Sequence, residues 1–425
     1  MRIKQIWSRE ILDSRGLPTV STTIQLEDGS TATGKVPSGA STGKTEVLEL
    51  RDNDFKRYRG QGVLDAINNI NDLLTPKLLN KEFLSQESFD QYLIDLDGTE
   101  FKTNFGGNTI LSLSMAFARA SAISKKVPLY EHFGKIYWRE GFKKDFLKMP
   151  EPLILVMEGG SHGNWVTDIQ EYMIVPRKEK FPVFADALRA GSEIYHTIHD
   201  VLKEKGYTAN TGFEGAFAPN QLKSNEEAFE IIIEGIEKAG YKVDKEIYLA
   251  VDVAAAEFFD TSTKKYILKS EDKIFTGDEW TDYLDKLFSK YPVHVIEDPM
   301  DQEDWEGWSK VVKRLGQSKE IVGDDLLTTN VKRIQKAKEK NAANSVLIKP
   351  NQIGTITETM RAMRISEEFD YSCIMSHRSG ETNDSTIADL AVGSYAQKCK
   401  FGAPNRGERI VKYNRLMEIE GNLKG

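Results

Sequence analysis

Two kinds of hydrophobic pattern divide the chain into a shorter first part and a longer second part. Apolar and polar residues alternate through "STTIQLEDGSTATGKV", around a turn at Asp28 and Gly29, and this predicts a β-hairpin. Three later segments, "VLDAINNINDLL", "SFDQYLIDL" and "TILSLSMAFARASAISKK", have the apolar spacing of amphipathic helices. We therefore predict an α+β domain over residues 1–140.

The second part repeats one unit. Short apolar runs alternate with long amphipathic segments such as "FADALRAGSEIYHTIHDVLKEKG", and each of five runs ends in a polar residue. These ends recur about every 25 to 45 residues, near the roughly 30 residues that one strand and one helix occupy in an α/β barrel. We predict an α/β barrel over residues 141–425, with these polar residues gathered where barrel active sites form. They are Asp252, Glu297, Asp324, Lys349 and His377.

Composition narrows the class of protein. The chain has 425 residues and a net charge of −8 without a dominant basic stripe, which argues against nucleic-acid and anionic-membrane partners. Its two cysteines, Cys373 and Cys399, lie in apolar runs and suit a reducing compartment. The start "MRIKQIWSREIL" is charged throughout, so we expect no signal peptide and a cytoplasmic location.

Three of the strand-end residues are carboxylates, and no cysteine lies near them. Asp252, Glu297 and Asp324 on neighbouring strands would offer only oxygen ligands, which suits Mg²⁺ better than Zn²⁺. A single carboxylate at such a position more often caps a helix or pairs with a basic residue. Lys349, on the next strand, would lose basicity beside a divalent ion and could accept a proton near neutral pH.

Basic and hydroxyl residues follow the last two strands. Arg378 and Ser379 come after "SCIMSH", and Lys400 lies in "KCKFGAP". Each alone could form an ordinary pair with a loop or a helix end. Together they indicate a small substrate that carries two or three negative charges.

The segment "VPSGASTGKTE" resembles a phosphate-binding loop at first sight. A Walker A loop needs four residues between its glycines, and only three lie between Gly39 and Gly43. The local pattern therefore favours a Gly/Ser-rich loop between a hairpin and a helix, without a nucleotide.

Several motifs in order resemble those of the enolase family, the phosphopyruvate hydratases. The resemblance covers nearly the whole chain, and "IEDPMDQEDWEGW" and "SHRSGET" are its most specific parts. The other matching segments are "ILDSRGLPTV", "VPSGASTGKTE", "LELRDND", "LDGTE", "GGSH", "VGDDLLTTN", "KPNQIGT" and "FGAPNRGER…KYNRL".

This resemblance implies a fold and a reaction. The fold would be an α/β barrel with an irregular antiparallel start, preceded by an α+β capping domain that carries a lid loop. The reaction would be the reversible dehydration of 2-phosphoglycerate to phosphoenolpyruvate in glycolysis and gluconeogenesis. Two Mg²⁺ ions would act in each site, the second arriving with the substrate, and the protein would be a homodimer or a higher homo-oligomer.

The resemblance also implies a role for individual residues. Lys349 is similar to the base that takes the C2 proton, and Glu214, in "TGFEGAFAP", is similar to the acid that protonates the leaving hydroxyl. Ser41 corresponds to a ligand of the second Mg²⁺ on the lid, with Gly39 and Gly43 as its hinges. Asp252, Glu297 and Asp324 would bind the first ion, and His162, Gln170, Glu171, His377, Arg378, Ser379 and Lys400 would bind the substrate.

Some positions depart from the family pattern, mostly beside the acid. The family's "GDEGG" reads "GFEGA", so that Phe213 replaces a carboxylate, and we expect its ring to desolvate Glu214 and raise its pKa. Glu158 stands where the family has Asn, and Pro350 follows the base; Leu17 and Ala216 are further departures. Two alternatives stay open: an enolase paralogue for a related phosphorylated or phosphono acid, and a non-catalytic binding protein at the cell surface or secreted without a signal peptide.

Overall fold

The first sheet of the molecule has three antiparallel strands. In the computed structural model, which describes residues 1–39 and 43–424, the predicted hairpin is present, with its turn at Asp28 and Gly29. Gly34 lies so close to a helix that an added Cβ would be 2.7 Å from the carbonyl oxygen of Ser112, and only glycine permits this approach. The strands are β1 (Ile3–Leu12), β2 (Pro18–Leu26) and β3 (Thr31–Lys35).

Helices cover one side of this sheet. The predicted helix of "VLDAINNINDLL" forms but includes a π-helical stretch over Asn69–Leu74. Helix α4 is rich in small and apolar residues and is buried along almost its whole length between the sheet and the barrel. The helices are α1 (Leu64–Asn68), α2 (Thr75–Leu78), α3 (Gln86–Asp97), α4 (Gly107–Ser124) and α5 (Leu129–Trp138).

Eight strands of the second part close into a barrel. The first three strands pair antiparallel, as the resemblance implied, and the other five run parallel. The last strand closes the barrel on the first, with Lys400 opposite Leu153. The barrel strands are β4 (Glu151–Glu158), β5 (Glu171–Pro176), β6 (Ile247–Asp252), β10 (Val293–Glu297), β11 (Glu320–Gly323), β12 (Ser345–Ile348), β13 (Ser372–Ser376) and β14 (Lys398–Lys400). A separate small sheet contains the strands between β6 and β10, which are β7 (Phe259–Asp260), β8 (Lys265–Leu268) and β9 (Lys273–Phe275).

Most barrel helices follow the sequence signals for helix ends. The side chain of Thr276 caps α8 and forms a capping box with Glu279, and Ser224 caps α7. The helices are α6 (Phe184–Glu204), α7 (Asn225–Lys238), α8 (Gly277–Lys290), α9 (Trp305–Leu315), α10 (Val331–Lys340), α11 (Pro350–Ile353), α12 (Ile356–Glu368), α13 (Thr386–Gly393) and α14 (Gly407–Lys424).

The apolar residues form two cores. The larger core fills the barrel and the layer between its strands and helices, and the smaller core lies between the first sheet and its helices. Both cysteines are buried and unpaired in the larger core. Among the described residues, no helix combines the length and apolar character needed to cross a lipid bilayer.

Candidate active site

A narrow polar cavity lies at the carboxyl ends of the barrel strands. Every strand-end residue predicted from the sequence comes to this end of the barrel, because parallel strands present their carboxyl ends together. Glu297 does not line the cavity itself but contacts Lys400, which does. The wall is made by His162, Gln170, Glu171, Glu214, Asp252, Asp324, Asp325, Lys349, Ser376, His377, Arg378, Ser379 and Lys400.

Lys400, at the end of β14, is the cation at the centre of the carboxylates. Its Nζ lies 2.7 Å from Glu297 Oε2, 3.0 Å from Glu171 Oε2 and 3.4 Å from Asp252 Oδ2, and its side chain is 2% exposed. Burial raises the pKa of Glu171 and of Glu297 well above their ordinary values. Burial acts to lower the pKa of Lys400, but the three carboxylates raise it well above its ordinary value. The lysine is therefore held charged.

Lys349, which follows β12, contacts a different carboxylate. Its Nζ lies 2.5 Å from Asp324 Oδ2. Burial acts to lower the pKa of Lys349, but Asp324 and Glu297 together raise it above its ordinary value. The expected loss of basicity is therefore not produced by the protein's own groups, which favour protonated Lys349 and ionised Asp324. A cation bound to Asp324 would weaken this attraction.

The predicted anion-binding residue Arg378 is buried against an acidic partner from the first domain. Its Nη1 donates to Glu46 Oε2 at 2.9 Å and to Asn351 Oδ1 at 3.2 Å, and its Nη2 donates to Glu46 Oε1 at 3.3 Å. Ser379, the next residue, also lines the cavity. The two-point pairing holds the guanidinium plane in one orientation at the cavity wall.

The neighbouring residue, His377, connects a buried arginine with the predicted acid. Arg409 Nη1 donates to His377 Nδ1 at 2.7 Å, so that Nδ1 must be the acceptor and Nε2 carries the proton of a neutral ring. Burial lowers the pKa of His377 to about 3, which agrees with a neutral ring. Its Nε2 lies 2.8 Å from Glu214 Oε2, although the two groups are not aligned for a full hydrogen bond.

His162 and Gln170 complete the wall beside Glu214. Nδ1 of His162 lies 3.8 Å from Glu214 and 3.6 Å from Glu171, and both ring nitrogens are buried without a hydrogen-bond partner in the part of the chain that the structure describes. Nε2 of Gln170 donates to Asp252 Oδ2 at 3.3 Å. Buried polar atoms of this kind, facing a polar cavity, indicate a site built for a polar ligand.

Both parts of the chain match models of one protein family. Residues 3–133 match the model described as "Enolase, N-terminal domain", and residues 146–425 match "Enolase, C-terminal TIM barrel domain". The chain belongs to the enolase superfamily. Its domains are those of a lyase-type enzyme, and the closed barrel with an antiparallel start confirms the fold predicted from the sequence.

Enolase-family proteins typically use Mg²⁺, and the acidic groups of this chain fit a cation. Glu297 Oε1 is buried without a hydrogen-bond partner among the described residues, as an oxygen reserved for a ligand would be. Asp298, Asp324 and Asp325 also bring carboxylate oxygens within 4.8 Å of one another. The assignment of Asp252, Glu297 and Asp324 to the first ion stays a prediction. Ser41, the predicted ligand of a second ion, lies outside the described residues.

The structure shows the local effect of two departures from the enolase pattern, Phe213 and Pro350. The expectation that Phe213 raises the pKa of Glu214 is wrong. Its ring is 42% exposed and lies near His162, with the ring centres 5.9 Å apart. Burial acts to raise the pKa of Glu214, but His377, His162 and Arg409 together lower it well below its ordinary value. Pro350 is harmless, because it is the first residue of α11, where a missing N–H costs nothing.

Sequence reasoning missed two residues that support the site. Glu46 belongs to a motif that matched the family, but its pairing with Arg378 joins residues 332 positions apart, so spacing could not reveal it. Arg409 lies in "GAPNRGER", part of a motif that matched the family, but a charged residue in a motif gives no sign of burial. It is fully buried and donates to the carbonyl oxygens of Arg378 and Ser379 at 2.6 and 2.7 Å.

Proposed function

We propose that this enzyme reversibly dehydrates 2-phosphoglycerate to phosphoenolpyruvate. The observation that carries the proposal is the meeting of a lysine, a glutamate and an anion-binding wall in one buried cavity. Lys349 and Glu214 would be the base and the acid, and Arg378, Ser379 and Lys400 would bind the anionic ends of the substrate. We propose that it acts in the cytoplasm as a homo-oligomer, on the sequence grounds given above.

The first step is removal of the C2 proton. Lys349 Nζ takes the proton, and the electron pair of the C–H bond moves onto the substrate carboxylate. Mg²⁺, held by Asp252, Glu297 and Asp324, would supply positive charge to the carboxylate that becomes more negative. Lys349 must be neutral to act, and a cation held by Asp324 would weaken the attraction that keeps the lysine protonated.

The second step is loss of the C3 hydroxyl. The electron pair returns to form the C2–C3 double bond, the C3–O bond breaks, and Glu214 donates a proton so that water leaves. The protein's own groups favour ionised Glu214. A substrate with several negative charges would raise the pKa of Glu214 and supply the protonated form that this step requires.

The absorbance of phosphoenolpyruvate formed from 2-phosphoglycerate tests the proposal directly. Activity should require a divalent cation, so EDTA should abolish it and Mg²⁺ should restore it. A protein that binds 2-phosphoglycerate with Mg²⁺ but forms no product would refute the proposed reaction. A panel of related phosphorylated and phosphono acids under the same conditions would then identify the substrate of a paralogue.

Two variants test the separate roles of the base and the acid. Lys349→Ala should stop both exchange of the C2 proton with solvent deuterium and product formation, because no group remains to take the proton. Glu214→Gln keeps the shape of the side chain but cannot donate a proton, so exchange should continue while product formation is lost. Equal loss of exchange in both variants would show that the roles are not divided in this way.

A further inference from the structure

A second carboxylate lies behind Glu214, outside the cavity. Glu158 is the last residue of β4, and its side chain is fully buried. Its Oε1 accepts a hydrogen bond from the backbone N–H of Glu214 at 2.8 Å, and its Oε2 accepts one from the backbone N–H of Ala216 at 2.9 Å. Glu158 does not line the cavity, so it has no route to the substrate except through the acid.

These two hydrogen bonds belong to a larger set of contacts between the end of β4 and residues 212–217. Backbone hydrogen bonds also join residues 156–158 to Phe217. The N–H of Glu158 donates to the carbonyl oxygen of Phe217 at 2.9 Å, and the N–H of Phe217 donates to the carbonyl oxygen of Val156 at 3.1 Å. Gly212 packs against the carboxylate, and an added Cβ there would lie 2.7 Å from Cδ of Glu158. The segment 212–217 is therefore wrapped around one side chain, and Glu214 lies in its middle.

Among the described residues, Glu158 has no direct ion pair, and Arg409 acts on it only from a distance. Within residues 1–39 and 43–424, no lysine, arginine or histidine forms an ion pair with it. Burial and the neighbouring Glu214 raise the pKa of Glu158, whereas the hydrogen bonds from the backbone N–H groups of Glu214 and Ala216 favour its ionised form and oppose this rise. A buried carboxylate of this kind is costly unless its oxygens accept hydrogen bonds. The two backbone N–H donors stabilise the buried Glu158 carboxylate, and both belong to the segment that carries Glu214.

We propose that Glu158 is a positioning residue that fixes the backbone of Glu214 and thereby aims its carboxyl group at the leaving hydroxyl. The inference rests on the proposed role of Glu214 as the acid. It concerns a residue that departs from the family pattern, which has Asn at this position. An amide offers one acceptor oxygen, whereas the carboxylate offers two oxygens, one for each backbone donor.

Glu158→Gln is the sharpest test, because it keeps the size of the side chain. Its amide N–H₂ would face one of the two backbone N–H groups, and the segment would have to shift to separate the two donors. Displacements of about 1 Å in a catalytic group can cost roughly 100-fold in rate. We expect phosphoenolpyruvate formation to fall about 10- to 100-fold. Exchange of the C2 proton, which depends on Lys349, should stay within about threefold of the unaltered protein.

Asp97→Asn is a matched control. Asp97 is also a buried carboxylate whose oxygens accept backbone N–H groups, from Thr99 at 3.1 Å and Phe105 at 2.8 Å, but it lies in the first domain. Asp97→Asn should lower the melting temperature, but the ratio of the rate of C2 proton exchange to the rate of phosphoenolpyruvate formation should stay unchanged. This ratio is the decisive readout, because a merely structural defect lowers both rates together.

The outcomes separate this inference from the proposed function. If the unaltered protein shows neither exchange nor product, the proposed function fails first. If it shows both, and Glu158→Gln lowers both equally or neither, the positioning role is wrong. Should Glu158→Gln not fold, Glu158→Asp decides, since it keeps the charge and is one methylene shorter. A selective loss of product formation in Glu158→Asp supports the inference, and an unchanged ratio overturns it.

Discussion

Replacing Lys400 by Met should strongly destabilise the protein, because it removes the positive charge from a buried acidic cluster. Met keeps most of the length and volume of the side chain, so packing changes little. The Nζ atom that lies within 3.4 Å of Glu171, Asp252 and Glu297 is lost. All three carboxylates are at most 7% exposed, so water cannot take over its role.

The magnitude follows from the burial of the cluster. Breaking a buried ion pair by removal of one partner costs about 3–5 kcal/mol, since a charge stays behind in a region of low polarity. For a barrel domain over residues 146–425, with an unfolding entropy of about 2.1 cal/mol/K per residue, that loss corresponds to a decrease in melting temperature of roughly 5–9 °C. The pKa values of Glu171 and Glu297 are already raised, and without Lys400 they should rise further. Their protonation at low pH should relieve the repulsion, so the destabilisation should shrink from pH 8 to pH 5.

Lys398→Met is the matched control, because Lys398 lies on the same strand and pairs with Glu320 and Glu151 at the other end of the barrel. Glu320 is 28% exposed, so this loss should cost about 1 kcal/mol or less. Thermal unfolding of both variants, with and without Mg²⁺, provides the measurement. Mg²⁺ should raise the melting temperature of Lys400→Met more than that of the unaltered protein. Similar melting temperatures for the two variants would refute the reasoning, as would a destabilisation that grows at low pH.

Three further predictions concern other parts of the molecule. Phe213→Ala should leave the pH dependence of kcat/KM unchanged, because the exposed ring does not set the pKa of Glu214. Arg409→Lys should raise the KM for 2-phosphoglycerate roughly tenfold in steady-state kinetics, since one ammonium group cannot replace the charged donors that hold the carbonyls of Arg378 and Ser379. Burial raises the pKa of Asp90 to about 6, so its protonated form stabilises the fold below about pH 4, and this contribution is lost as the pH rises through 6. Urea unfolding at pH 4 and pH 6 should therefore show that Asp90→Asn removes a pH-dependent loss of about 2 kcal/mol.

The barrel could be predicted from the sequence because its signals are local. Each strand is a short apolar run, and the polar residue that ends it marks the face of the barrel on which it lies. Asp252, Lys349 and Lys400 could therefore be assigned to one cavity without any knowledge of contacts. The closure of the ring, with its antiparallel start, came from the family resemblance, since neither follows from periodicity.

The protonation states could not be predicted in the same way. They depend on which groups come into contact in the folded protein, and these contacts join positions far apart in the sequence. Glu46 pairs with Arg378, and Glu158 accepts a hydrogen bond from the backbone of Glu214. Phe213 illustrates the difficulty. Its position next to Glu214 in the chain suggested a shielding ring, but the backbone turns it outward and leaves two histidines and Arg409 to act on the acid.

The pairing of β14 with β4 also limits when the site can first exist during synthesis. Lys400 lies opposite Leu153, so the ring closes only after residues 398–400 have left the ribosome. A nascent chain that ends before residue 398 would expose two unpaired strand edges, on β13 and on β4. It would also lack the ammonium group that balances three carboxylates. The unfinished barrel is therefore exposed to pairing with other chains, whereas the first domain, with its own apolar core, is complete much earlier.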